Sequence, residues 1–204
     1  WSKVATLEGR KLPPIDQKGL YIDWGAMTIM TAGNAGQAAF DVIAKDITGL
    51  GNFLRPAGTL FVIGVGGGRD ILTGLEYKQK TIDGIEVNPA IVDMLRVKYA
   101  DFTGNLATKP GVTLINDEAR NWLARSEKKY DVIQCSLVDT WAASSSGAFM
   151  LTENVLYTKE AFELYIKHLT KTGVLSILRW GDDKEPAQVS RMLKLAVAAL
   201  QGVG

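Results

Sequence analysis

Glycines and acids recur along the middle of the chain, each directly after a run of apolar residues. Gly64, Gly66 and Gly68 follow the apolar residues 60–63. Glycine lets a backbone turn sharply and approach a ligand closely, and the start of a following helix offers unpaired N–H groups. Such a turn indicates either a nucleotide site or a plain strand–helix connection.

The spacing of these glycines separates two kinds of nucleotide ligand. The dinucleotide pattern G-x-G-x-x-G fails, because Arg69 stands at the position of the third glycine. The pattern G-x-G-x-G is met, and it is the usual form for nucleosides of the S-adenosylmethionine type, which bring no pyrophosphate to the turn. We expect Gly67 and Asp70, in the same segment, to belong to this cofactor site.

A second apolar run ends at Glu86, twenty-two positions after Gly64. A carboxylate at the end of the second strand can accept both hydroxyls of a ribose. The alternative is a solvated acid at a strand end. The glycine turn upstream favours the ribose interpretation, and it brings the adjacent Val87 to the same site.

Two acids, Asp117 and Glu118, follow a third apolar run and precede Ala119. An acid together with the next backbone N–H can bind the amino edge of an adenine ring. Alternatively, Asn116 and Asp117, before Glu118, can cap the N-terminus of a helix. The two roles are compatible, and the sequence leaves both open.

Ser136 and Asp139 follow the fourth apolar run, where a reacting substrate would meet the nucleoside. Asp139 is the candidate base or amine anchor, and Ser136 is its candidate hydrogen-bonding partner. Residues 141–150 are small and polar, which is typical either of a lid or of an ordinary surface loop.

These residues need a scaffold that brings successive strand ends together. Strands predicted at 60–63, 81–87, 112–115, 130–135 and 174–178 alternate with helical patterns. Such alternation predicts an α/β fold with a Rossmann-like, doubly wound, mostly parallel sheet, whose ligands bind beyond the carboxyl ends of the strands. Dense Gly and Pro punctuation predicts hairpins over residues 1–35, followed by a nucleoside-binding domain over 36–204.

Composition excludes several classes of function. The 204 residues carry a net charge of +1, so we expect no nucleic-acid partner, since such grooves need concentrated cations. One cysteine and one histidine exclude a Cys- or His-rich metal site, and we expect no metal.

The order of these motifs resembles the spermidine-synthase (polyamine aminopropyltransferase) family, within the class I methyltransferase fold. The resemblance covers residues 20–178. It includes the glycine turn at 60–70, Ile-Glu-Val-Asn-Pro at 85–89, Glu-Ala-Arg at 118–120, and Leu-Tyr-Thr-Lys-Glu at 156–160. It implies a transferase that uses S-adenosylmethionine or its decarboxylated form as co-substrate and a small amine as acceptor.

The departures from the family affect its polyamine half. Ser136 stands where the family has the Asp that activates the amine, and Gly67 replaces another Asp in the glycine turn. A nucleoside-binding module that has lost catalysis is therefore the alternative, and a nicotinamide-dependent oxidoreductase is a weaker third hypothesis.

The resemblance is strongest to spermidine-synthase-like domains that bacteria attach to membrane segments. The chain begins at Trp1 and ends at Gly204. We therefore expect a cytoplasmic piece of a longer, membrane-tethered polypeptide. The hairpin-like N-terminus also allows a homodimer.

Overall fold

Two small antiparallel hairpins begin the chain. The computed structural model describes residues 6–7, 10–11, 15–22, 26–138, 155–179 and 187–203. Strand β1 (Thr6–Leu7) pairs with β2 (Arg10–Lys11), and β3 (Gln17–Ile22) pairs with β4 (Ala26–Thr31). The predicted hairpins are confirmed.

Five further strands in the described residues form one parallel sheet. They are β5 (Thr59–Ile63), β6 (Thr81–Glu86), β7 (Val112–Asn116), β8 (Tyr130–Ser136) and β9 (Leu169–Leu178), in the spatial order β7-β6-β5-β8-β9. Strand β5 lies at the centre of this order, and Leu60 to Ile63 are at most 1% exposed. A strand covered on both faces needs such an unbroken apolar run.

Helices cover both faces of the sheet. The described helices are α1 (Gln37–Ala44), α2 (Leu50–Leu54), α3 (Arg69–Glu76), α4 (Pro89–Asp93, continued by a wider turn over Met94–Lys98), α5 (Ala119–Arg125), α6 (Lys159–Lys167) and α7 (Ala187–Val203). Short 3₁₀ turns lie at Ile47–Gly49 and Leu106–Thr108.

Alternate residues of β5 supply two separate apolar cores. Leu60 and Val62 pack with residues of α3 and α4, whereas Phe61 and Ile63 pack with residues of α5, α6 and α7. Successive side chains of a strand point to opposite faces, so one apolar run serves both layers. Leu20 and Met30 of the β3–β4 hairpin lie in the first core, which fixes this hairpin against the sheet.

The end of α6 and the start of β9 differ from the prediction. The sequence predicts a helical stripe over 159–169, with Gly173 as the stop after it and a strand over 174–178, whereas α6 ends at Lys167 and β9 begins at Leu169. His168 lies between these two elements. Its ring contacts α6 and the end of α5, with Nδ1 2.9 Å from Leu164 O and Nε2 3.0 Å from Ser126 O. Gly173 lies in an irregular stretch of β9, where a Cβ would be 2.9 Å from Tyr130 O.

The strand–helix order confirms the predicted fold class, a doubly wound α/β sheet with an N-terminal hairpin element. Helix α2 is an addition that its short apolar pattern did not predict. In the described part of the chain, no helix combines the length and apolarity that crossing a membrane requires.

Candidate functional site

The carboxyl ends of four strands meet at one edge of the sheet. Gly64 N–H donates to Ile85 O at 2.9 Å, and Asp117 N–H donates to Glu86 O at 3.2 Å. Strand β8 brings Ser136 to the same edge, because Ile63 of β5 is in register with Cys135. The predicted site residues that the structure describes, after β5, β6 and β7 and at the end of β8, are therefore brought to one edge.

The backbone amides of the glycine turn are all used inside the protein. Val65 N–H donates to Ile85 O, Gly68 N–H donates to Val65 O, and Gly66 N–H donates to Glu86 Oε2 at 2.9 Å. Gly67 N–H donates to the hydroxyl of Thr28 at 2.8 Å. With Gly64 already paired to β6, the turn keeps no amide from 64 to 68 for a phosphate group.

The β3–β4 hairpin makes the close approach that the sequence assigned to a ligand. A Cβ at Gly66 would lie 2.5 Å from Thr28 Oγ1, and one at Gly67 would overlap the carbonyl of Ile29. Part of the space above the turn is thus filled by β4. The sequence analysis missed Thr28, because only the hairpin's alternating pattern marks it.

The other glycines of the turn approach different neighbours. Gly64 and Gly68 have φ values of +75° and +90°. A Cβ at Gly64 would lie 2.7 Å from Val138 Cγ2, and one at Gly68 would overlap Leu106. Side chains would be strained at both positions and would collide with neighbours, so the turn requires glycine there.

Glu86 lies at the centre of this edge and is 5% exposed. Its Oε2 accepts the Gly66 N–H, and its Oε1 accepts the Asn88 N–H at 2.8 Å. Burial raises the pKa of this carboxyl, while the N–H groups of Asn88 and Gly66 lower it in part. A carboxylate has about four acceptor sites, and those that the backbone N–H groups leave are what ribose hydroxyls would need.

Val87 extends the site with an apolar surface, since its side chain is 51% exposed. The amide of Asn116 donates to the Glu86 carbonyl at 2.8 Å and to the Val87 carbonyl at 3.2 Å. This side chain ties the end of β7 to the end of β6. The position of Glu86 and Val87 is therefore fixed from two sides.

The acids after β7 act in capping. Glu118 is the N-cap of α5, where its two oxygens accept the N–H groups of Arg120 (3.0 Å) and Asn121 (2.9 Å). Asp117 accepts the Glu118 N–H at 2.8 Å and pairs with Arg125. A helix cap was predicted here from Asn116 and Asp117, but the N-cap is Glu118, and Ala119 is the first residue of α5. Adenine binding by this segment stays a prediction.

Asp70 lies beside Ser136 rather than along the glycine turn. It is 5% exposed, and burial raises its pKa to about 6, against the opposing effects of Ser136, Arg69 and Gln134. Ser136 Oγ accepts from Gln134 Nε2 at 3.0 Å. The structure thus adds a buried carboxylate to the region that the sequence assigned to Ser136.

Leu137 is a further residue that sequence reasoning missed. Its φ is +53°, a conformation that costs a residue with a Cβ about 1 kcal/mol or more. Its N–H donates to Leu178 O at 2.8 Å, which holds the strained backbone in place. Strain of this kind concentrates at functional sites, but no sequence signal marks it.

Two predictions concern residues outside the described part of the chain. Asp139, the candidate base, and the lid at 141–150 both lie there. Among the described residues, no group of three or more His, Cys, Asp or Glu side chains could hold a metal ion.

Comparison with known proteins supports the architecture. No family model matches the chain. Spermidine synthase from Thermotoga maritima superposes with a TM-score of 0.57 at 16% identity, over 93% of this chain and 60% of that one. A spermidine synthase bound to the transition-state analogue AdoDATO gives 0.55 at 14%, with the same coverage.

A methyltransferase shares the same architecture. Human methyltransferase-like protein 13, in complex with SAH, gives a TM-score of 0.50 at 16% identity, over 76% of this chain and 68% of that one. The chain spans about 60% of the length of the spermidine synthases it matches. These likenesses and the sheet order together show that the chain has the class I methyltransferase fold.

Proposed function

We propose that this chain binds S-adenosylmethionine or its decarboxylated form and transfers a methyl or aminopropyl group to a small amine. One observation carries the proposal. Glu86 lies at the end of β6 with its carboxylate directed at the glycine turn, 2.9 Å from Gly66 N. A ribose at this edge would find a carboxylate with free lone pairs and, beside it, the exposed Val87 as a surface for an adenine ring.

The same geometry disfavours a nicotinamide dinucleotide. A pyrophosphate binds to free backbone N–H groups at a glycine turn and helix N-terminus. Here the amides from Gly64 to Gly68 are all donated to groups of the protein, which leaves a pyrophosphate only the first N–H groups of α3. A sulfonium nucleoside has no phosphate and makes no such demand.

Solved neighbours of the same fold support the ligand class. One is a spermidine synthase in complex with AdoDATO, and another is human methyltransferase-like protein 13 in complex with SAH. Both complexes contain adenosyl ligands. The neighbours support the ligand class, whereas the group that is transferred and the amine acceptor are part of our proposal.

The proposed reaction asks mainly for placement. The amine nitrogen must be neutral and in line with the carbon–sulfur bond, and water must be excluded. We propose that Asp139 anchors the amine, with Ser136 near the reacting atoms. Since Ser136 is not an acid, a nucleoside-binding module without transfer is the second candidate function.

Calorimetric titration with both sulfonium nucleosides tests the proposal. We expect the wild type to bind at least one of them and Glu86→Gln to bind it about 10-fold to 100-fold more weakly, since a hydrogen bond to a charged group contributes about 1.5–3 kcal/mol. Glu76→Gln, at the far end of α3 where Glu76 accepts from Gln37, is the matched control. Absence of binding to the wild type, or equal binding by Glu86→Gln, contradicts the proposal.

Mass spectrometry with a panel of alkyl amines separates the two candidate functions. Alkylated product that depends on Asp139, with nucleoside binding retained in Asp139→Ala, supports the transferase. Binding of the nucleoside without any product favours the binding module.

A further inference from the structure

A chain of buried amide side chains runs through the protein and ends at Ser136. Gly58 N–H donates to Gln79 Oε1 (2.8 Å), Gln79 Nε2 donates to Asn52 Oδ1 (3.0 Å), Asn52 Nδ2 donates to Gln134 Oε1 (2.8 Å), and Gln134 Nε2 donates to Ser136 Oγ (3.0 Å). A backbone N–H only donates, so the first bond sets the direction of every later one. Ser136 Oγ is therefore an acceptor at the end of the chain.

This direction fixes the role of the Ser136 proton. Gln134 Nε2 also donates to Thr48 O at 2.8 Å, so both of its protons are used. A hydroxyl that accepts from Gln134 still has its own proton to donate. Ser136 lowers the pKa of Asp70, so the two side chains lie close together, and the buried Asp70 carboxylate is the group that we assign to take this proton.

The surroundings of Asp70 favour the uptake of a proton by its carboxylate. It is 5% exposed, and its Oδ1 has no hydrogen-bond partner in the part of the chain that the structure describes. A buried, unpartnered carboxylate oxygen is costly while it is charged, and protonation removes the cost. Such a group needs a functional explanation, because most buried polar atoms are paired.

The charged groups near Asp70 have opposite effects on its pKa. Arg69 lowers the pKa of Asp70, and Asp46 raises it. These two residues form an ion pair with each other, 3.1 Å between Arg69 Nη2 and Asp46 Oδ2. Their opposite effects therefore offset each other in part, and burial remains the main cause of the raised pKa.

We propose that Asp70 is a positioning residue that acts through Ser136, and that the pair takes up the proton of the acceptor amine. This rests on the proposed function. The amine N–H proton passes to Ser136 Oγ while the Ser136 hydroxyl proton passes to Asp70. The lone pair of the neutral nitrogen forms the new N–C bond as the C–S bond breaks and its electron pair stays on sulfur, and the nitrogen gives up this proton because the new bond makes it positively charged. Asp70 ends as a neutral acid, the form that burial favours.

The transfer rate as a function of pH tests the pair, with nucleoside binding measured separately. We expect Asp70→Asn and Ser136→Ala each to lower the transfer rate about 10²-fold to 10⁴-fold. Both should bind the nucleoside as the wild type does and lose the rise of rate with pH near 6. The double variant should be no slower than either single one, since the two act as a unit.

Asp46→Asn is the matched control, because it removes a carboxylate near the same helix end without touching Ser136. It should keep the maximal rate and the rise of rate with pH, and shift only the midpoint of that rise to lower pH, since Asp46 raises the pKa of Asp70. A carbon-13 titration of the Asp70 carboxyl adds a readout without turnover: Ser136→Ala should raise its pKa, since Ser136 now lowers it. Identical titration in both proteins overturns the inference.

The outcomes separate this inference from the proposed function. If the wild type binds no sulfonium nucleoside, or binds without transfer, the transferase proposal fails and this inference fails with it. If the wild type transfers and Asp70→Asn keeps its rate and pH profile, only the inference is overturned.

Discussion

Two buried carboxylates lie at the carboxyl edge of the sheet, and their surroundings differ. Glu86 accepts two backbone N–H groups, whereas Asp70 has an oxygen without a partner in the described residues. N–H donors stabilise the charged form of an acid, and burial alone favours the neutral form. Glu86 is therefore suited to bind hydroxyls as a carboxylate, and Asp70 to exchange a proton.

The raised pKa of Asp70 predicts how stability depends on pH. Unfolding returns the pKa from about 6 to its ordinary value of 3.8, so the folded state binds more protons between these values. Stability should fall as pH rises from about 4 to 6, by roughly 3 kcal/mol, and then level off. Asp70→Asn should remove this dependence, as measured by urea unfolding at several pH values. Parallel pH curves for the two proteins would contradict the assignment.

At the scale of elements, one hydroxyl supplies a hydrogen bond between the β3–β4 hairpin and the glycine turn. Thr28→Val keeps the shape of the side chain but leaves the Gly67 N–H without its acceptor. We expect a loss of about 1–3 kcal/mol in the free energy of unfolding. Thr28→Ser keeps the hydroxyl and should lose much less. Equal stability of the Val and Ser variants would show that this bond does not hold the hairpin.

The N-terminus of α5 depends on Glu118. Glu118→Ala removes the acceptor of two helix N–H groups, so we expect the free energy of unfolding to fall by about 1 kcal/mol. Chemical denaturation measures this, and nucleoside titration of the same variant tests the second role. Weakened binding at unchanged stability would mean that Glu118 contacts the ligand rather than the helix.

The sequence predicted the elements that have their own local signals. The apolar run of β5, the glycines after it and the alternation of strands and helices all lie within short segments. The end of α6 was wrong, because it depends on a contact between His168 and Ser126, far apart in the chain. Gly173 was predicted to end the helix, but it lies within β9, where a Cβ would be 2.9 Å from Tyr130 O of β8.

The candidate site shows the same division. Gly64, Glu86 and Ser136 were predicted because each follows its own apolar run. The covering of the turn by Thr28 and the pairing of Asp70 with Ser136 were not predicted, because each depends on two segments that only the fold brings together.

At the scale of the whole molecule, the proposed binding site lies at one edge of the sheet and the apolar cores lie on its two faces. One edge gathers the ends of four strands around Glu86, and the two apolar cores hold these strands from either face. The amide chain from Gly58 to Ser136 connects the opposite edge to this site through the interior. The arrangement predicts that a nucleoside lies across the top of β5 and β6.

A crystal structure of the chain with a bound sulfonium nucleoside tests this account most directly. We predict the ribose hydroxyls within hydrogen-bonding distance of the Glu86 carboxylate and the adenine ring against Val87. A nucleoside bound elsewhere, with Glu86 still held only by the N–H groups of Gly66 and Asn88, would contradict it.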